Sequence, residues 1–195
     1  MNDAGVGRLL VASLHQGIAD VLPERLDFYE GWLNPAGLRE GRIGLAPMAA
    51  VLSFLRQEGA PYHEIASAAG THTAEWLVMG LPPFQRRVAS SLPRWLRLWY
   101  VTRLARRLVR HTYGGSRAIV RWRRKGQGTV DLRGSLFCQV REHVSHPLCE
   151  FYRAALGRLM ALFDLDVEVA IEGCRATGAP RCLLSLAVRP TRAPE

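Results

Sequence analysis

Acidic residues are missing from a long central part of this chain. Between Trp76 and Val130 there is no Asp or Glu, while thirteen Lys and Arg fall in the same stretch. The net charge of +9 over 195 residues therefore has an address, and charge of one sign favours an anionic partner. Long apolar runs are missing too, so no membrane-spanning helix is expected. The start MNDAGVGRLLVASL has neither a basic opening nor a signal-type apolar run, and no secretory signal is expected. That places the chain in the cytoplasm, or peripheral to the inner membrane on account of its charge. Cysteine is scarce, at four residues, and in a reducing compartment thiols or a metal site are favoured over disulfides. Cys138 is read as a small buried hydrophobe. Catalytic signatures are absent: no G-x-G-x-x-G after a strand, no P-loop, no H-E-x-x-H and no G-x-S-x-G. No nicotinamide, flavin or iron–sulfur site is visible, so binding or carriage fits better than redox chemistry.

What is present suits one domain over residues 1–190, helical to about residue 113 and sheet plus helix beyond. Hydrophobic content of 48% and charged content of 22% are those of an ordinary globular chain. Residues 4–21 read as an amphipathic helix stopped by Pro23. Residues 23–44 read as a loop with turns at Asn34-Pro35 and near Gly41, holding Phe28, Tyr29 and Trp32. That aromatic cluster plugs a core or lines a pocket, the former having the larger share. Helices are expected over 46–58 and 62–79, the second with a small-residue face at Ala66, Ala69, Gly70, Thr73 and Ala74. His63 and His72 flank it without metal-binding partners in sequence.

Two proline-started helical segments follow, from Pro82-Pro83 and from Pro93. In the second, Trp95 and Trp99 share a face with Arg103, Arg106 and Arg110, while Val101, Leu104, Ala105 and Leu108 lie opposite. Either the helix kinks near Tyr100, or Trp95 and Trp99 contact something other than the core. Trp95, Trp99, Arg103 and Arg106 are the candidate ligand-binding residues, for an anionic amphiphile or a membrane interface. A local stack of Arg103 on Trp99 is the plainer reading. Gly114-Gly115 ends the helices. A strand over 117–124, the turn KGQG at 125–128 and a second strand reaching Val140 come next. A helix from Cys149 to Phe163, a strand ending near Cys174, the turn RATGAP and a strand from Cys182 complete the chain, with TRAPE a frayed tail. The expected architecture is α+β: N-terminal helices on a four-stranded antiparallel sheet, with one late helix.

The run from Cys149 to Val188 resembles the C-terminal core of the vinyl-4-reductase domain. The features are a cysteine at a helix start, FYRAALGRLMALF, a VEV strand, and then Cys174-Arg-Ala-Thr-Gly-Ala-Pro-Arg-Cys182. The domain takes its name from a protein of bacteriochlorophyll synthesis. It is similar in fold to TRAPP vesicle-tethering subunits and to the sensor domains of aromatic-responsive activators. The resemblance implies a structural zinc held by the matching cysteines Cys149, Cys174 and Cys182. It also implies a Glu three residues before the second cysteine; here Ile171 holds that place and Glu172 follows it. Glu172 is the family-like fourth ligand and His146 its rival; three unligated core thiols are the alternative to a metal. The implied function is that of an accessory protein that binds a hydrophobic anionic molecule such as a tetrapyrrole. The other classes are a ligand sensor or scaffold working through a protein partner, and a basic peripheral membrane binder. A homodimer is expected and nucleic acid is disfavoured as a partner.

Overall fold

A computed structural model describes residues 6–33, 44–123 and 126–189. The expected turns at Asn34-Pro35 and Gly41, Lys125 of the hairpin turn, and the TRAPE tail lie outside the described residues. The helical half comprises α1 (Arg8–Val21), α2 (Leu26–Leu33), α3 (Leu45–Gln57), α4 (Ala60–Met79), α5 (Pro83–Ser91) and α6 (Arg94–Thr112). The second half comprises β1 (Arg117–Trp122), β2 (Gln127–Arg133), α7 (Glu150–Ala161), β3 (Val167–Gly173) and β4 (Cys182–Val188). The strands form one antiparallel sheet in the order β1-β2-β4-β3. The α+β class and the four-stranded sheet agree with the reading of the sequence.

The helix α4 is the spine of the molecule, packed between α1 and α7. Its small-residue face explains how: Ala66, Ala69, Gly70, Thr73 and Ala74 are all buried. A methyl group on Gly70 would strike the backbone carbonyl of Phe151 on α7. Glycine usually weakens a helix by about 1 kcal/mol relative to alanine, so here close approach outweighs propensity. Gly70→Ala is expected to lower the urea midpoint, costing about 1–3 kcal/mol as overpacking does. A midpoint that rises instead would show that α4 and α7 can separate freely.

Two expectations need correction. Phe28, Tyr29 and Trp32 stand on a helix, α2, rather than in a loop. Tyr29 is fully buried and donates to Glu58 (2.7 Å), while Phe28 and Trp32 lean on Phe54. The cluster fastens α2 to α3. The second strand of the hairpin does not reach Val140. It ends at Arg133, because Gly134 takes φ 69°, a left-handed conformation that breaks the ladder. The chain then turns inward through an irregular segment, which puts Phe137 flat on Phe151 (ring centroids 4.6 Å apart). This break decides the composition of the site.

Candidate functional site

The turn at Gly134 carries Cys138 into the interior. Its Sγ lies 3.2 Å from Cys149 Sγ and 3.5 Å from Cys174 Sγ; Cys149 and Cys174 are 3.5 Å apart. With Cys182, all four sulfurs fall within 4.8 Å of one another, and all four residues are buried. Each comes from a different piece of local structure. Cys138 sits in the turn after β2, Cys149 at the N-cap of α7, Cys174 at the end of β3, and Cys182 at the first position of β4. The segments that carry Cys138 and Cys149 are held in place by α3 and α4 respectively. Arg56 donates to Phe137 O (3.5 Å) and Tyr62 Oη to Leu148 O (3.4 Å).

Four sulfurs at the corners of a tetrahedron 2.3 Å from a zinc ion would lie about 3.8 Å apart. The observed spacings, 3.2–3.5 Å for three pairs and within 4.8 Å for all, bracket that edge. Backbone amides also point at the sulfurs: Leu148 N–H at Cys174 and Arg175 N–H at Cys182, each 3.4 Å. Such donors favour the thiolate. Hydrogen bonds from Cys138 first, then Cys149, hold the Cys174 and Cys182 thiols below their ordinary range. Hydrogen bonding with Cys138, Cys174 and Cys182, together with burial, pushes the Cys149 thiol up. Cys138 is pushed up as well: its bond with Cys149 works the other way but is outweighed by those with Cys174 and Cys182 and by burial. A divalent ion bound among the four sulfurs would displace their protons. A cleft of about 490 Å³, bordered by Ser135, Cys138, Arg141, His143, Arg175 and Cys182, opens from the cluster to solvent.

The structure therefore brings Cys149, Cys174 and Cys182 together, with Cys138 in the fourth place rather than Glu172 or His146. Glu172 points away. Cys182, Leu184 and Leu186 face inward on β4, whereas Ser185 faces outward, and Ser185 Oγ donates to Glu172 (2.7 Å). A register shift between Ile171 and Gly173 separates Glu172 from the inward face that carries Cys174. His146 is half-buried, its ring tilted against that of His63 with centroids 4.7 Å apart. Cys138 is buried, as its reading as a small core residue expects, and its Sγ also stands within the cysteine cluster. The missed signal was Gly134, whose demand for a positive φ breaks the strand four residues before the cysteine.

The second feature is a groove of about 820 Å³ between α6 and the edge strand β1. Trp99, Arg103, Arg106 and Arg110 line it from α6, Arg117 and Ile119 from β1, and Arg133 from β2; among the described residues no carboxylate lines it, and Asp131 stands 3.7 Å from Arg133. The helix α6 runs unbroken, so the change of stripe at Tyr100 is not a kink. Val101, Leu104, Ala105 and Leu108 are buried while Trp95 and Trp99 are exposed. Arg103 lies over the Trp99 ring (4.7 Å), which is the local stack foreseen from the sequence. Arg106 donates to Val120 O (3.1 Å) at the open edge of β1. Trp95 is not part of the groove wall.

No protein-family model and no curated protein matches the chain. Among solved structures, an Fe(II) unliganded H-NOX protein from K. algicida is similar in fold, with a TM-score of 0.63, 10% identity, and coverage of 97% of this chain and 100% of that one. The phenol-responsive sensory domain of the transcription activator PoxR has a TM-score of 0.48 at 15% identity, covering 74% of each chain. Trafficking protein particle complex subunit 3 from Naegleria fowleri, covalently bound to palmitic acid, has 0.45 at 14% identity, covering 73% of this chain and 82% of that one. The likeness to H-NOX establishes an H-NOX-like fold. The resemblance to the vinyl-4-reductase domain is confined to the motif from Cys149 to Val188, and no family model supports it. None of the six histidines is buried, so no imidazole stands ready inside to hold an iron; the buried donor set is the four thiols.

Proposed function

We propose that this chain is a small-molecule sensor domain whose ligand is flat and anionic, bound along α6 and β1. The carrying observation is the groove itself: five arginines and an indole around one opening, with no carboxylate among the described residues of its wall. Guanidinium groups in a fixed fork suit carboxylates and phosphates, and the Trp99 face suits a planar ring. Such a domain signals by handing a ligand-dependent change to a protein partner. Support comes from the fold, since H-NOX proteins that share it are described with NO and CO at Fe(II), a use of the fold in binding small molecules.

A second reading, favoured by the Cys149–Val188 motif, is a 4-vinyl-reductase-like accessory protein of bacteriochlorophyll synthesis with a tetrapyrrole as ligand. Under either reading the four cysteines hold a structural zinc. A shell closed by four protein ligands leaves no position for a substrate, so the ion would tie the turn after β2, the start of α7 and the β3–β4 hairpin together. Arg56, beside Cys138, would offset part of the charge of a tetrathiolate site.

A carboxylated porphyrin tests the groove under both readings, by titration followed in absorbance. Binding is expected to weaken steadily with salt, because it rests on partly exposed charges. The neutral methyl ester of the same porphyrin should show far less salt dependence. Equal salt dependence for acid and ester would remove the groove from the account.

A further inference from the structure

The helix α5 buries only Ala89 among its nine residues. A helix this short has no stability of its own in water and normally depends on an apolar face packed against the fold. Here the apolar residues face outward: Phe84 is 76% exposed and Val88, one turn later, 40%. Met79, at the end of α4, and Trp95, in the first turn of α6, are 58% and 70% exposed. Of the eight large hydrophobic side chains exposed among the described residues, five fall between Met79 and Trp99. The same stretch contains Arg86, Arg87, Arg94 and Arg97 and no acidic residue. From elsewhere, Asp164 lies 3.6 Å from Arg97, and Arg94 donates to Arg189 O (2.7 Å).

We infer that α5 and the first turn of α6 form a docking surface for an anionic lipid bilayer, with Phe84 and Trp95 inserted at the level of the headgroups. The partner follows from the combination of features. Arginines with no carboxylate among them attract an anionic surface, and the exposed rings give the attraction something to bury. Protruding aromatic side chains on two successive helices suit a fluid interface, which adapts to each of them. A folded protein partner would need a matching pocket for each. No helix among the described residues is long and apolar enough to cross a membrane, so the contact is peripheral. The inference is independent of the groove, because neither Phe84 nor Trp95 lines it.

The test is sedimentation of the full chain with vesicles of phosphatidylcholine containing about one part in three of phosphatidylglycerol, against vesicles of phosphatidylcholine alone. The chain should pellet with the first and remain in the supernatant with the second. Phe84→Ala and Trp95→Ala should each lower partition about tenfold, the share of one large apolar side chain. Arg87→Glu should lower it as well, and salt should weaken the wild type. Porphyrin binding should be unchanged in Phe84→Ala, so failure of this inference and failure of the groove are told apart. Equal partition onto neutral vesicles, or no loss in Phe84→Ala and Trp95→Ala, would overturn the inference. So would a saturable complex with an acidic protein that Phe84→Ala abolishes while vesicle binding is unaffected.

Discussion

Cys138→Ser is expected to strip the protein of its metal and much of its stability. Purified protein should contain about one zinc per chain, the stoichiometry of a single four-ligand site. Cys138→Ser and Cys174→Ser should each lose it, because the Sγ atoms of both residues lie within 3.5 Å of another cysteine's in the same cluster. Three separate pieces of chain converge on the cluster, so their release is costly. A loss of about 4 kcal/mol would lower the melting temperature of a chain this size by about 8–16 °C. Glu172→Gln and His146→Ala should leave both zinc and melting temperature as they are, since Glu172 faces Ser185 and His146 faces His63. The sign with pH follows from the thiolates. Protons compete with zinc for sulfur, so acid should release the ion and alkali should retain it. Elemental analysis with thermal denaturation decides the matter. Zinc retained in Cys138→Ser, or metal-free protein that melts with the native, would refute a four-cysteine site.

Arg103→Glu combined with Arg106→Glu is expected to lower the affinity for a carboxylated porphyrin by about a hundredfold or more. Each arginine lost removes a charge-assisted hydrogen bond of about 1.5–3 kcal/mol, and each glutamate adds repulsion. The neutral ester should lose much less, because burial of its ring does not depend on charge. Arg106 also holds Val120 O, so the double variant is checked for zinc content and melting temperature before its binding is compared. An intact variant that binds the acid as tightly as the native protein would show the charge run to be a solvated face. Arg103→Gln adds a milder measure: it removes the stack on Trp99 and one charge without introducing repulsion.

Much of this molecule was legible in one dimension. Prolines at 61, 82, 83 and 93 punctuate the helices, and the alternation of Val167, Val169 and Ile171 with acidic neighbours marks β3. The small-residue face of α4 announced a tightly packed spine, and the opposed stripes of α6 announced a helix with an exposed aromatic and arginine line. These features are local, set by periods of 3.6 and 2 and by side-chain size, and they do not depend on what lies far along the chain. The charge gap from Trp76 to Val130 likewise needs no structure to be seen.

The membership of the cysteine cluster was decided only in three dimensions. Cys138 is eleven residues before Cys149 and thirty-six before Cys174 in the chain, and nothing in its immediate sequence resembles a metal knuckle. It joins because Gly134 adopts φ 69° and ends a strand that periodicity would have extended to Val140. Glu172 falls on the outer face with Glu168 and Ala170 by ordinary alternation, and the register shift beside it turns Cys174 inward. The arginine groove is of the same kind: α6, β1 and β2 each supply part, and only the packing of the helix against the edge strand puts them around one opening. Sequence determines which residues are available and which face of an element they share. Which faces meet depends on the non-local packing of the whole core, and here that rests on one glycine and one slipped register.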